Sequence, residues 1–204
     1  MCAKHSPKAA VCTLVLVRHA ASQGAGSFVG QKDEPLSEVG HRQLKELARK
    51  LSKFRFHAVF ASDLRRALET ARPTARRQNL EIQIRPGLRE MHFGRWQGLS
   101  WKQIRKREPR ATDLWMRNFP SQPIPGAELF QGFKTRVKSE LKAIVNANRG
   151  RCVLVVTHSG VIRVALADAL AMKEKNISRL AQDPCALNVL EHFSDGVTVR
   201  LVNA

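Results

Sequence analysis

Cys12-Thr13-Leu14-Val15-Leu16-Val17-Arg18-His19 is the stretch from which the fold can be read. An unbroken β-branched and leucine run with no polar alternation predicts a strand buried on both faces, as a parallel sheet requires. The run stops at Arg18-His19, so polar chemistry sits at the strand's carboxyl end. A second run of the same kind, Cys152-Val153-Leu154-Val155-Val156, closes on Thr157-His158-Ser159-Gly160 and leads into a helix through Ala171.

The chain between these runs alternates in kind. After a glycine-bearing loop (Gly24, Gly26, Gly30), Ser37 is a candidate N-cap for a helix to about Phe54 with Leu44, Leu47, Ala48 and Leu51 on one face. Ala58-Val59-Phe60-Ala61 predicts a second strand, and Ser62 is placed as the cap of a helix opening Asp63-Leu64-Arg65-Arg66. Ile82 to Ile84 predicts a third strand, followed by the loop Leu88 to Leu99 and a capping box, Ser100 with Gln103. From Pro109 to Pro125 prolines and aromatics follow without a period, which predicts an irregular insertion. Helix resumes after Gly126, with Leu129, Phe133, Val137 and Leu141 at steps of four, and Ala186 to His192 with Val197 to Val202 predicts an antiparallel edge hairpin. The expectation is an α/β fold of three layers: a mostly parallel central sheet, helices on both faces, and the 109–125 insertion over the C-terminal strand ends as part of a substrate pocket. Residues 1–204 read as one domain.

Composition bounds the function. A chain of 204 residues with 43% hydrophobic residues, 12 Gly and 9 Pro can bury a core, which excludes disorder and collagen-like repeats. Its 35 Lys and Arg against 17 Asp and Glu give a net charge of +18, a field that draws anions. The cysteines (Cys2, Cys12, Cys152, Cys185) have no zinc-site spacing and no disulfide framework pattern, so idle thiols in a reducing compartment are expected. The polar start and the short apolar runs predict neither a secretory signal nor a membrane span, and a cytoplasmic location follows.

Open parallel sheets bind ligands outside the carboxyl ends of their strands. Arg18 and His19 follow the first strand, Arg66 lies in the first turn after the second, His158 follows the strand at 152–156, and Glu90 sits in the loop between. Singly, each has an ordinary explanation: a strand end, a surface charge, a core histidine. Jointly, two arginines, two histidines and a carboxylate can bind a dianionic phosphoryl group and move protons at it.

Four strings, Leu16-Val17-Arg18-His19-Ala20, Ser62-x-Leu64-x-Arg66-Ala67-x-x-Thr70-Ala71, Glu90-x-x-Phe93-Gly94-x-Trp96-x-Gly98 and Thr157-His158-Ser159-Gly160-Val161, occur in order over nearly the whole chain. Together they resemble the histidine phosphatase superfamily, also called phosphoglycerate mutase-like. Pro125-Gly126-Ala127-Glu128 with Phe130, Phe133 and Arg136-Val137 is similar to its α-ribazole phosphatase-type branch. The resemblance implies a metal-independent phosphatase of small-metabolite phosphomonoesters, with α-ribazole phosphate one substrate. In it His19 takes the phosphoryl group as phosphohistidine, Arg18, Arg66 and His158 hold its oxygens, and Glu90 serves as proton donor. Guanidinium forks can stand where other enzymes use Mg²⁺, so no metal and no cofactor is implied. The loop after His19 departs from the commoner family string: Ala20-Ala21-Ser22-Gln23-Gly24-Ala25 lacks its Gly, Glu and Asn. Ser22, His92 and Ser159 are the substrate-contact candidates.

Trp96, Trp101, Trp115 and Phe119 surround the 109–125 insertion, either as pocket wall or as core. The basic run Lys102, Arg105, Lys106, Arg107 and Arg110 reads as a solvated helix face or as a steering surface for phosphorylated substrates. The expected partner is a phosphorylated small molecule. No nucleic acid or membrane is expected, and the edge hairpin leaves a homodimer open. The alternatives are a phosphoglycerate mutase-type transfer and a basic binding protein of the same fold.

Overall fold

The carboxyl ends of two adjacent parallel strands, β1 (Cys12–Arg18) and β4 (Cys152–Thr157), define the molecule's functional edge. In this computed structural model, which describes residues 10–204, they form the centre of a six-stranded sheet. With β2 (Ala58–Ala61), β3 (Ile82–Ile84), β5 (Leu187–His192) and β6 (Val197–Leu201), the strand order is β3-β2-β4-β1-β5-β6. β1 to β4 are mutually parallel, and β5 and β6 join β1 as an antiparallel hairpin, β6 at the edge. The polar N-terminal stretch and Cys2 lie outside the described residues.

Both central strands are buried on both faces because period-two alternation sends apolar side chains each way. Leu14, Leu16, Val153 and Val155 pack with α5 (Phe130–Ala147) and α6 (Ser159–Ala169). Val15, Val17, Leu154 and Val156 pack with α1 (Glu38–Leu51) and α2 (Arg65–Arg77). After β1 the chain crosses one face to reach β2. After β4 it crosses the other through α6 toward β5, so β1 and β4 flank the point where the winding reverses, where ligand crevices form.

Local signals hold at several ends. Ser37 accepts from Gly40 N–H at 3.1 Å, and Ser100 with Gln103 forms the expected capping box ahead of α3 (Trp101–Arg107). Two expectations are corrected. The 109–125 segment is not irregular throughout: Pro109–Asn118 is a helix, α4, ending before a cis Phe119–Pro120 bond. Its Trp115 packs into an aromatic cluster with Trp96, Trp101 and Phe28, while Leu114 and Met116 stay exposed, which hides the helical period in the sequence. Ser62 does not cap α2 either. That helix begins at Arg65 with Leu64 at the N-cap position, two residues beyond Ser62, and the Arg65 N–H donates to Asp33 at 2.7 Å while the Ser62 hydroxyl lies 2.9 Å from His158 Nε2. Among the described residues the thiols of Cys12, Cys152 and Cys185 are free, and no helix is long and apolar enough to cross a membrane.

Candidate active site

His19 leaves β1 with its backbone still tied to the sheet, its N–H donating to the Thr157 carbonyl at 2.8 Å. Its Nδ1 lies 2.7 Å from the Ala20 carbonyl, an acceptor only, so the proton sits on Nδ1 and Nε2 keeps its lone pair. Arg66 Nε donates to that Nε2 at 3.2 Å, which marks the lone pair's direction. Burial, then the Arg66 and Arg18 guanidiniums, hold the imidazole pKa down to about 3, against the opposing hydrogen bond to Ala20. The ring is therefore neutral and oriented at ordinary pH, with its lone pair on Nε2. Ala20 has no positive φ, so its methyl is accommodated, and its N–H donates to Thr70 Oγ1 at 3.0 Å.

Arg66, 1% exposed, is fixed by the loop after β1: Nη1 donates to the Lys32 carbonyl at 2.7 Å and Nη2 to the Gly30 carbonyl at 2.6 Å. Gly30 has φ +56°, and a Cβ there would stand 2.4 Å from Gln97 Oε1, so the loop that holds Arg66 needs glycine at this turn. On the other side of His19, Arg18 donates through Nη1 to the Gln182 carbonyl.

His158 is wholly buried, its ring edge-on to that of His19 with centroids 5.1 Å apart. Burial first, then Arg66, His19 and Arg18, push its pKa well below the usual imidazole value. Ser62 Oγ lies 2.9 Å from His158 Nε2 and 3.4 Å from the donating Leu64 N–H. With the Ser62 hydroxyl donating to Nε2, the His158 proton stands on Nδ1, which has no acceptor among the described residues. Arg18 Nε is likewise buried without an acceptor. Two buried donors beside the His19 ring, both lacking acceptors among the described residues, suit an oxyanion, because leaving such groups unmatched costs about 1–3 kcal/mol each.

Glu90, 7% exposed, sits at the N-terminus of α6. Its Oε2 accepts from Gly160 N–H at 3.0 Å and Ser159 Oγ at 3.3 Å, and its Oε1 from Met91 N–H at 2.9 Å. A Cβ at residue 160 would meet Oε1 at 2.2 Å, so only glycine lets the carboxylate approach this helix end. Arg18, His19, Ser22, Arg66, Glu90 and Ser159 line one cavity of about 370 Å³.

The order of strands, the paired strand-end motifs and this cavity agree with a comparison across known proteins: residues 14–204 match the histidine phosphatase superfamily (branch 1). The chain belongs to the histidine phosphatase superfamily. It is 33% identical over 93% of its length to a bifunctional protein of Mycobacterium tuberculosis, and it spans 53% of that relative. It is 37% identical to a metal-independent phosphoserine phosphatase of Arabidopsis thaliana, covering 75% of this chain and 66% of the other. The solved α-ribazole phosphatase of Shigella flexneri superposes with a TM-score of 0.85 at 25% identity, covering 94% of this chain and 96% of that one.

Within this histidine phosphatase fold, His92 stands in the loop after Glu90: its Nδ1 accepts from Gly94 N–H at 3.1 Å and its Nε2 lies 3.2 Å from Gln97 Nε2, so the ring braces its own loop. Of the aromatics, Trp115 and Phe119 line an adjoining cavity, whereas Trp96 is core and Trp101 packs against it. Arg163, which lines the cavity, escaped the sequence reading. The signal was present: it follows Ser159 by four residues, and that spacing on a helix puts both side chains on one face.

Proposed function

We propose that the protein hydrolyses phosphomonoesters through a phosphohistidine on Nε2 of His19. The observation that carries this is the state of that ring: proton fixed on Nδ1 by the Ala20 carbonyl, lone pair on Nε2, pKa held at about 3. In the first step Nε2 attacks phosphorus, the P–N bond forms and the P–O bond to the alcohol breaks. Glu90, entering protonated, gives its proton to the departing oxygen. In the second step the Glu90 carboxylate takes a proton from water, whose oxygen displaces His19 from phosphorus and releases inorganic phosphate. Charge spread over the equatorial oxygens in each loose transition state meets Arg18, Arg66 and the His158 Nδ1–H. A preorganised set of buried donors acts here in place of a metal ion.

The likeness to phosphatases named for phosphoserine and for α-ribazole supports the reaction type. Chelator-treated protein is expected to release phosphate from a panel of esters that includes phosphoserine, α-ribazole phosphate and phosphoglycerates. His19→Ala is expected to abolish that release. Turnover unaffected by the substitution would remove His19 from the reaction, and phosphate retained on an isomerised product would indicate a mutase instead.

A further inference from the structure

The cavity around His19 continues past Glu90, Phe93 and Ser159 into a second chamber of about 650 Å³. Part of its wall is aromatic: Phe28, Phe93, Trp115, Phe119, Phe130 and Phe133. The aromatics brace one another edge to face, Trp115 against Phe119 at 5.2 Å and Phe119 against Phe130 at 5.2 Å, which makes the wall stiff. The same chamber is lined by Arg117, Arg163, Lys175 and Arg179. None of these four takes part in an ion pair among the described residues. Arg163 Nε donates to the Leu180 carbonyl at 2.8 Å, a contact that positions the guanidinium without neutralising it.

The two chambers together are lined by six cationic side chains, these four with Arg18 and Arg66, and by one carboxyl group, that of Glu90. A phosphate dianion offsets two of the six and Glu90, protonated as the ester binds, offsets none, so four positive charges remain unmatched, and the four cations other than Arg18 and Arg66 lie around the second chamber. A small aliphatic leaving group, such as that of phosphoserine, would leave the aromatic wall uncovered. An uncharged aromatic one would cover it but leave the cations unmatched.

We propose that the substrate's alcohol portion carries a flat aromatic body and, beyond it, a second anionic group, carboxylate or phosphate, held by Arg163, Lys175, Arg179 and Arg117. This rests on the phosphatase reading and specifies its substrate class. The aromatic wall supplies apolar burial, and the cations supply charge-assisted hydrogen bonds that select for the second charge.

A matched pair of synthetic esters tests it: 2-naphthyl phosphate and its analogue with a carboxylate at ring position 6, assayed at low ionic strength. The carboxylated ester is expected to show a kcat/KM about tenfold higher, chiefly through KM, as one or two charge-assisted contacts give. In Lys175→Gln/Arg179→Gln, where both side chains are exposed and lie outside any ion pair among the described residues, the ratio between the two esters is expected to fall toward unity. Equal kcat/KM for the two esters in the wild type would overturn the second-anion site and leave the phosphatase reading standing. A ratio unchanged in the double variant would overturn its assignment to Lys175 and Arg179. Hydrolysis of neither ester, nor of any in the panel above, would overturn both readings.

Discussion

Burial keeps the His19 and His158 rings neutral, and it has a thermodynamic consequence. Folded, His19 has a pKa of about 3 and His158 lies well below the ordinary imidazole value, in both cases chiefly through burial. Unfolded, both return to about 6.5. Above that pH neither state binds the proton and the pair contributes no pH dependence. Below it the unfolded chain takes up protons that the folded chain refuses, so stability falls as the pH drops from about 6.5 toward 3, by about 1.4 kcal/mol per pH unit for each histidine. His192, also lowered by burial, acts in the same direction. Denaturant titrations at pH 7, 6 and 5 should therefore show a falling unfolding free energy over a range in which ordinary carboxylates do not titrate, and His158→Asn should reduce the slope by about one proton. A flat profile over that range would mean the two rings are not buried neutral. At this scale the sequence was informative where a reactive residue ends a strand, as with Arg18-His19 and His158. It was silent on Lys175 and Arg179, because an isolated basic residue on a helix or loop looks the same whether it faces solvent or a cavity.

The α6 N-terminus holds the Glu90 carboxylate, and α5 holds the backbone that carries it, although no α5 side chain lines the cavity around His19. Arg136 on that helix reaches the loop before Glu90: Nη1 donates to the Gly87 and Arg89 carbonyls at 2.9 and 2.8 Å, and Nη2 to the Glu90 carbonyl at 3.4 Å. Glu128 holds the guanidinium in place, at 3.0 Å to Nε and 2.8 Å to Nη2. One fork thus fixes three carbonyls of a segment with little regular structure of its own. Arg136→Leu should lower stability by about 2 kcal/mol and lower kcat about tenfold with a smaller change in KM, since it disturbs the proton donor more than phosphate binding. Arg136→Lys should recover little of the kcat loss, because a point charge lacks the fork. A Leu variant with wild-type kcat and a lowered melting temperature would reduce Arg136 to a structural role. Elements differed in legibility for a related reason. β1 and β4 are apolar on both faces, so their sequences alone define them. α4 buries little beyond Thr112 and turns Trp115 inward to a separate aromatic cluster, so its residues carry no stripe to read.

At the scale of the whole molecule the net charge of +18 stands against only eight ion pairs among the described residues. The surplus is spread over exposed faces of several helices: Arg42 and Lys45 on α1, Arg72, Arg76 and Arg77 on α2, Lys102, Arg105, Lys106 and Arg107 on α3. Like charges distributed this way repel one another in the folded state more than in the expanded chain, while at long range they draw phosphate esters toward the protein. Salt screens both effects, since the Debye length shortens from about 30 Å at 0.01 M to about 8 Å at 0.15 M. The two consequences have opposite signs. Between these ionic strengths the melting temperature should rise by about 2–5 °C as self-repulsion is relieved, whereas kcat/KM on a dianionic ester should fall about threefold or more, with kcat unchanged. Thermal unfolding and steady-state kinetics on the same protein across one sodium chloride series separate the two. A melting temperature that falls with salt would show that the ion pairs outweigh the repulsion, and a kcat/KM indifferent to salt would show that the surplus charge does not steer the substrate. In that second case only the local cations of the cavity, too close to a bound ligand for salt to screen well, would remain to account for anion recognition.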